Sequence, residues 1–164
     1  MNNIKFYSEG RKMYRTNIEA VANFFLSLGD ETMTHKKLQK LCYYAYSWGK
    51  VLLNQSIFRN NFQAWIHGPV DPDLYNRYKH FRWHPIPHEE NQELHDDEIM
   101  QLLHEVYESY GHLSGDELEA LTHHELPWIE AREGIPAYTP SNNQLSDETI
   151  YQYYSKLLKD NQGD

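Results

Sequence analysis

Histidine is the residue type whose spacing most invites a metal-binding interpretation in this chain of 164 residues, which contains 10 of them. His80, His84 and His88 recur every four residues, a spacing that would align three imidazoles on one face of a helix. Pro85 and Pro87 interrupt the segment. Because proline inside a helix costs about 3 kcal/mol, the shared face is not expected. The sequence therefore predicts no metal site at these histidines.

A second candidate for chemistry is the segment His123-His124-Glu125, which resembles the start of the zinc-protease motif HExxH. Trp128 stands where the second histidine ligand of that motif belongs, and Pro127 breaks the helical turn that both ligands need. Cys42 is a candidate nucleophile, but it falls on the apolar stripe of a predicted helix, where a buried thiol is ordinary.

Glycine and serine patterns add no catalytic motif. The 8 glycines form neither a phosphate-binding loop nor a dinucleotide fingerprint, and no serine lies in a nucleophile elbow. We therefore predict no catalytic residue, no cofactor and no metal, and expect the chain not to be an enzyme.

Two aromatic-proline segments remain, Phe62 to Pro72 and Thr122 to Trp128. Each places a Trp, a His and a Pro where a regular element begins or ends. The candidate residues for a partner-binding patch are Trp65, His67, Gly68, Pro69, Tyr75, Thr122, His123, Pro127 and Trp128. One interpretation is that they brace the fold. The other is a joint polar-aromatic patch, since Trp and Tyr dominate the energetics of protein interfaces.

Seven helices follow from capping residues and apolar periodicity. Their predicted starts are Thr16 with Glu19, Thr34, Asp71 before Pro72, Asp96 or Asp97, Ser114 with Glu117, Pro127, and Ser146. The segment 82–93 is predicted to be the longest loop.

The helix that follows Thr34 has the clearest apolar stripe, and its lysines, Lys36, Lys37, Lys40 and Lys50, lie off that stripe. Gly49 lies on it, and glycine in a helix is unfavourable by roughly 1 kcal/mol relative to Ala. A close helix crossing at Gly49 would explain its presence.

One short strand is expected within residues 58–66, because Phe62, Ala64 and Ile66 alternate with polar or amphipathic residues. Gly68-Pro69 is expected to end it. We expect this strand to pair with an extended segment at Ile135 to Tyr138. The predicted fold class is mainly α (α+β): a single compact domain of about six to seven helices at residues 16–160, preceded by a tail or edge segment at 1–15.

Composition and charge limit the function classes. One Cys fits a reducing compartment, and no apolar run is long enough for a membrane span or signal peptide, so we expect a cytoplasmic protein without membrane contacts. Residues 1–82 hold 12 Lys and Arg against 6 Asp and Glu, whereas residues 83–164 hold 3 against 18. Such an acidic second half disfavours nucleic-acid binding, which depends on neutralising phosphates. Either the two oppositely charged halves neutralise each other within the fold, or the acidic half forms a surface that faces a basic partner.

Several motifs occur in the order typical of one family. Lys37-Leu38-Gln39-Lys40-Leu41-Cys42-Tyr43-Tyr44-Ala45 resembles the KLQKLxYYA signature of the Panacea domain, the SocA-like antitoxin family. The segment Ala64-Trp65-Ile66-His67-Gly68-Pro69-Val70 is similar to its AWxxGPV motif. Further similarities are Pro72, Tyr75, Tyr78, Tyr110-Gly111, Leu118, Thr122-His123, Pro127-Trp128 and Ala131-Arg132. The similarity runs from about Ile18 to Leu158.

The resemblance implies a bacterial or phage-associated antitoxin that neutralises a cognate toxin by direct binding, the toxin often being encoded beside it. An alternative that it also implies is a proteolytic adaptor that delivers a toxin to a ClpXP-type protease. A His-dependent metalloprotein or hydrolase is the remaining alternative. The resemblance gives neither the toxin, nor the surface that binds it, nor the oligomeric state.

Overall fold

The computed structural model describes residues 7–9 and 12–163, in which seven α-helices and four short strands are arranged around one core. In chain order they are β1 Tyr7–Glu9, β2 Lys12–Tyr14, α1 Ile18–Leu28, α2 His35–Leu52, β3 Gln63–Trp65, β4 Gly68–Val70, α3 Pro72–Tyr78, α4 Asp97–Tyr110, α5 Gly115–Thr122, α6 Leu126–Ala131 and α7 Asp147–Asn161; a 3₁₀ turn at Lys79–Phe81 follows α3. The mainly α fold class with a small β element is confirmed.

Helix α2 is the central element, and α1, α4, α5 and α7 pack around it. A Cβ atom added at Gly49 would lie 3.2 Å from Ile57 Cγ2 and 3.3 Å from Leu102 Cδ2 of α4. The close crossing expected at this glycine is therefore present. The lysines off the apolar stripe do not all face solvent, because Lys37 and Lys40 are buried.

Five of the seven helix starts follow the predicted caps. α6 begins at Leu126, one residue before the predicted Pro127, and its N-cap residue Glu125 makes no side-chain cap bond. The side chains of Thr34, Asp71, Asp96, Ser114 and Ser146 each accept a backbone N–H of the first helical turn, and Ser114 and Glu117 form the predicted capping box. The predicted pair of Thr16 with Glu19 is wrong. Asn17 caps α1 instead, through a bond of 2.9 Å from Ala20 N to its Oδ1. Asparagine is at least as good a cap as threonine, and it lies one residue nearer the helix.

The pairing predicted for the strand near Ile66 is wrong. β3 pairs with β4 in an antiparallel hairpin whose register joins Gln63 to Val70 and Trp65 to Gly68. Gly68-Pro69 thus opens the return strand instead of ending regular structure. On its other side β3 meets the segment around Gln144, and no strand is formed at 135–138.

Pro69 is tolerated in β4 because Ala64, the residue paired with it, uses its own N–H and carbonyl group in hydrogen bonds to other segments. Ala64 N donates to Asn143 O at 2.8 Å, and Ala64 O accepts from Arg132 Nη1 at 2.9 Å. The missing N–H of Pro69 therefore leaves no ladder acceptor unpaired.

Two further features bear on the domain organisation. β1 and β2 pair in antiparallel orientation before α1; residues 1–6, 10 and 11 of the predicted 1–15 segment lie outside the described residues, and the domain limits remain a prediction. Within the described ranges, every helix is too short or too polar to cross a lipid bilayer.

Candidate partner-binding site

The two aromatic-proline segments meet in space. The indole N–H of Trp128 donates to the backbone oxygen of Trp65 at 2.8 Å. The ring of His123 stacks on that of Trp128, with centroids 4.0 Å apart and planes at 17°. Residues from the β3–β4 hairpin and from the α5–α6 junction therefore form one continuous cluster. We call the exposed and half-buried part of it, Trp65, His67, Tyr75, His123 and Trp128, the signature surface.

Two side chains extend this surface toward solvent. Trp65 packs edge-on against Tyr75 of α3, with ring centroids 4.9 Å apart, and Tyr75 is 37% exposed. His67 lies in the hairpin turn with its side chain 69% exposed, and its Nδ1 lies 3.0 Å from Glu119 Oε1 of α5. Aromatic rings with one exposed edge provide large contact areas at small entropic loss.

The remaining signature residues are buried beneath this surface. Gly68 has φ of +105°, and a Cβ there would lie 2.6 Å from Lys40 Cε and 2.8 Å from Thr122 Oγ1. Only glycine fits this backbone conformation and this space. Pro69, Thr122 and Pro127 are also buried, so these four residues position the hairpin against α2 and α5.

Lys40 is the buried cation under the hairpin. Its ammonium donates to Pro69 O at 3.2 Å, and the side chain is 1% exposed. Burial lowers the pKa of Lys40 to about 7, although the charge of Glu119 opposes the shift. Glu119 itself lies 2.9 Å from Lys36 Nζ; burial would raise its pKa, but the bond to Lys36 lowers it.

Arg132 was singled out only through the family resemblance, yet it holds the site together. Its guanidinium donates to Ala64 O at 2.9 Å, to Pro136 O at 3.0 Å and to Thr139 O at 2.6 Å. It also lies 5.4 Å from the centre of the Trp128 ring, within cation–π range. The predicted contact between β3 and 135–138 is thus replaced by this bridging arginine.

Glu125, the acidic residue of the His123-His124-Glu125 segment, supports the fold through buried hydrogen bonds. It is buried and accepts hydrogen bonds from Tyr44 Oη at 2.8 Å and Tyr154 Oη at 3.0 Å. Burial raises the pKa of Glu125 to about 7, while the two tyrosine bonds oppose the shift. This carboxyl group therefore joins α2, α7 and the start of α6, and no sequence pattern indicated its tyrosine partners.

A groove of about 710 Å³ opens beside the hairpin. Its lining residues are Gln63, Trp65, Ile66 and His67 on one side and Pro140, Ser141 and Asn142 on the other. Tyr75, His123 and Trp128 do not line it, so the groove adjoins only part of the signature surface. Pro140, Ser141 and Asn142 were not among the predicted site residues.

Side chains with catalytic potential are dispersed. Within the described part of the chain, no three His, Cys, Asp or Glu residues are placed to hold a metal ion. His80, His84 and His88 are each exposed on or after the 3₁₀ turn. Cys42 is buried, and burial raises its pKa, which disfavours the thiolate.

The fold and this surface define a helical domain with a hairpin-centred aromatic site. The model of the antitoxin SocA-like, Panacea domain family matches residues 38–129, more than half of the chain. The chain belongs to this family. Neither the comparison with curated proteins nor that with solved structures found a significant match. The family assignment favours an antitoxin role with a protein partner over a catalytic role.

Proposed function

We propose that this protein is an antitoxin that binds a cognate toxin protein and blocks it, and that the signature surface with its adjoining groove forms the contact. The family assignment supports the antitoxin role. The convergence of Trp65 and Trp128 through a 2.8 Å hydrogen bond supports the location, because it joins two distant signature segments at one place.

The burial of the signature residues supports two different roles for them, positioning and partner binding. Gly68 and Thr122 are buried and fix the hairpin, whereas Tyr75 and His67 are exposed and contribute little to the core. An exposed aromatic residue held by a rigid layer is typical of interface anchors. We therefore assign partner binding to the exposed members and positioning to the buried ones.

The groove defines the kind of toxin segment that fits. Its aromatic and aliphatic wall, from Trp65 and Ile66, favours an apolar side chain, and the Gln63 and Asn142 amides can orient a polypeptide backbone. His67 with Glu119 adds a polar group at the edge. The proposed contact is therefore an apolar segment of the toxin with hydrogen-bonding groups at its margin.

Co-expression with the product of the neighbouring gene tests the proposal. The neighbouring product should arrest growth alone and lose toxicity with this protein present. Tyr75→Ala should restore toxicity, whereas Tyr151→Ala, which removes a tyrosine that is 44% exposed on α7, should not. A harmless neighbouring product, or equal protection by both variants, would contradict the proposal.

The amount of toxin in the same cells separates blocking from delivery to a protease. A blocking antitoxin leaves the toxin level unchanged, in cells with or without a ClpXP-type protease. A fall in toxin that requires the protease would replace the blocking mechanism with the adaptor mechanism.

A further inference from the structure

A tight turn after α3 holds two solvent-exposed side chains in a strained backbone. His84 N donates to Phe81 O at 2.9 Å, which closes a four-residue β-turn. Arg82 occupies its second position with φ of 54° and ψ of −119°. These angles belong to a type II′ turn, in which glycine is the preferred residue at this position. We call residues 81–84 the Trp83 turn.

The side chains at the tip of this turn have little intramolecular role. Trp83 is 71% exposed, and its ring lies beside that of neighbouring His84, with 5.1 Å between the centroids. Among residues 7–9 and 12–163, none forms an ion pair with the Arg82 guanidinium. Strained positions that fold stability does not require are concentrated at functional sites.

The charge around the turn is positive in a chain whose net charge is −9. Residues 74–88 contain Arg77, Lys79 and Arg82 and no Asp or Glu. Lys79 and Arg82 are both exposed. Asp73, Glu89 and Glu90 flank this segment, so the excess of positive charge is confined to the turn, where the exposed Lys79 and Arg82 favour an anionic partner.

A groove of about 520 Å³ lies beside the turn. Arg82 and Trp83 form one wall, and Thr34, Ser114 and Gly115 belong to the other. Asp116 also lines the groove, but it lies 2.9 Å from Lys36 Nζ and is therefore paired. The groove thus combines an apolar indole face, hydroxyl groups and a guanidinium that forms no ion pair with any residue the structure describes.

From this combination we infer that the Trp83 turn is a docking site for a short segment of another protein that carries an apolar side chain flanked by carboxylates. The apolar side chain packs on the Trp83 indole in the groove. The flanking carboxylates pair with Arg82 and Lys79. A nucleic acid fits less well, because Asp116 stands in the wall and three cations are too few to offset the net negative charge.

This docking site does not depend on the toxin contact. The two sites have no residue in common, and Lys36, which lines this groove, connects them: its Nζ lies 2.9 Å from Asp116 and 2.9 Å from Glu119, which contacts His67. Variants of the signature surface, such as Tyr75→Ala, and variants of the turn, such as Trp83→Ala, therefore separate loss of toxin neutralisation from loss of docking.

Fluorescence anisotropy with the full chain tests the inference. The probe is a short fluorescein-labelled peptide in which glutamates flank a pair of leucines, and the control peptide has glutamines in place of the glutamates. The acidic peptide should bind, and Trp83→Ala should weaken its binding at least about tenfold, as for an interface anchor. Tyr138→Ala, which removes an aromatic ring that is 91% exposed elsewhere, should leave binding unchanged.

Charge is tested separately. Lys79→Glu should weaken binding at low salt and have less effect at high salt, because exposed charges are screened. Lys156→Glu, on α7, is the matched control. A thermal melt of each variant verifies folding.

Four outcomes would overturn the inference. They are no binding of the acidic peptide, equal binding of the glutamine peptide, equal losses in the Trp83 and Tyr138 variants, and displacement of the peptide by an oligonucleotide at lower concentration than by unlabelled peptide. Sedimentation of the wild type and the Trp83→Ala variant gives a further check: a Trp83-dependent dimer would make a second copy the occupant and would also overturn it.

Discussion

Trp128 and Trp65 are joined by a hydrogen bond of 2.8 Å from the indole N–H of one to the backbone oxygen of the other, although 63 positions separate them in the chain. This bond connects the α5–α6 junction to the end of β3. It fixes the position of the β3–β4 hairpin relative to α6, and with it the mutual placement of the residues assigned to partner binding.

Replacing Trp128 by phenylalanine tests the contribution of this bond. Phe keeps an aromatic ring against His123 but cannot donate to Trp65 O, so the free energy of unfolding should fall by about 1–2 kcal/mol. Trp128→Ala also removes the half-buried ring and should cost more than the Phe variant, but less than the roughly 3–5 kcal/mol of a fully buried aromatic. Urea denaturation of the three proteins gives the comparison. Equal stability of the wild type and the Phe variant would show that the bond does not hold the hairpin.

Gly68→Ala should be strongly destabilising because two effects combine. Its φ of +105° strains any side chain, and the new Cβ would lie 2.6 Å from Lys40 Cε. Gly134→Ala is the matched control, with φ of +79° and no atom within 4 Å of the new Cβ. Backbone strain alone costs on the order of 1–3 kcal/mol, so thermal denaturation should show a larger loss at Gly68. Equal losses would mean that Lys40 and Thr122 move aside freely.

The buried amine of Lys40 should give the protein a pH-dependent stability above neutrality. Its pKa is lowered from 10.5 to about 7 by burial. Between these values the unfolded chain binds a proton that the folded chain does not, so the free energy of unfolding increases with pH. The limiting slope for one proton is about 1.4 kcal/mol per pH unit. The contribution is complete above the unfolded pKa and is lost as the pH falls toward 7.

Lys40→Met isolates this contribution, because methionine does not titrate. Denaturation at pH 7 and pH 9 should show the wild type gaining stability relative to Lys40→Met as the pH rises. Lys156→Met, at an exposed position on α7, should retain the wild-type pH profile. Parallel profiles for the wild type and Lys40→Met would contradict the burial of an uncharged amine under the hairpin.

Relief of strain at Arg82 should stabilise the fold. Glycine adopts φ of 54° and ψ of −119° far more readily than arginine, so Arg82→Gly should raise the free energy of unfolding by roughly 1 kcal/mol, after the greater flexibility of glycine in the unfolded chain is subtracted. Asn54→Gly is the control, since asparagine tolerates its φ of 53° better. Chemical denaturation should show a gain at Arg82 and little change at Asn54. A loss at Arg82 would show that its side chain supports the fold.

Local chemistry was sufficient to predict most helix starts. Asp71 before Pro72, and Ser114 with Glu117, satisfy backbone donors within a few residues, so their effect is readable from neighbouring sequence. The prediction of Thr16 as the cap of α1 was wrong because the next residue, Asn17, can accept the same kind of backbone hydrogen bond. Local signals decide the helix start, but they do not rank two adjacent capping residues.

Long-range contacts could not be predicted in the same way. The partner of β3 is a return strand that contains Pro69, a residue that normally argues against pairing, and its acceptability depends on Asn143 and Arg132. Likewise, Lys40 is buried because the hairpin brings the Pro69 carbonyl to its ammonium. The signature residues were proposed from the sequence alone, whereas their grouping in space depended on this hairpin.

The central claim is most directly tested by isothermal titration calorimetry of the purified protein with the product of the neighbouring gene. We predict a tight complex, with affinity reduced at least about tenfold by Tyr75→Ala and unchanged by Tyr151→Ala, while both variants retain cooperative thermal unfolding. Absence of a complex with the wild-type protein, or equal affinities for the two folded variants, would contradict the claim.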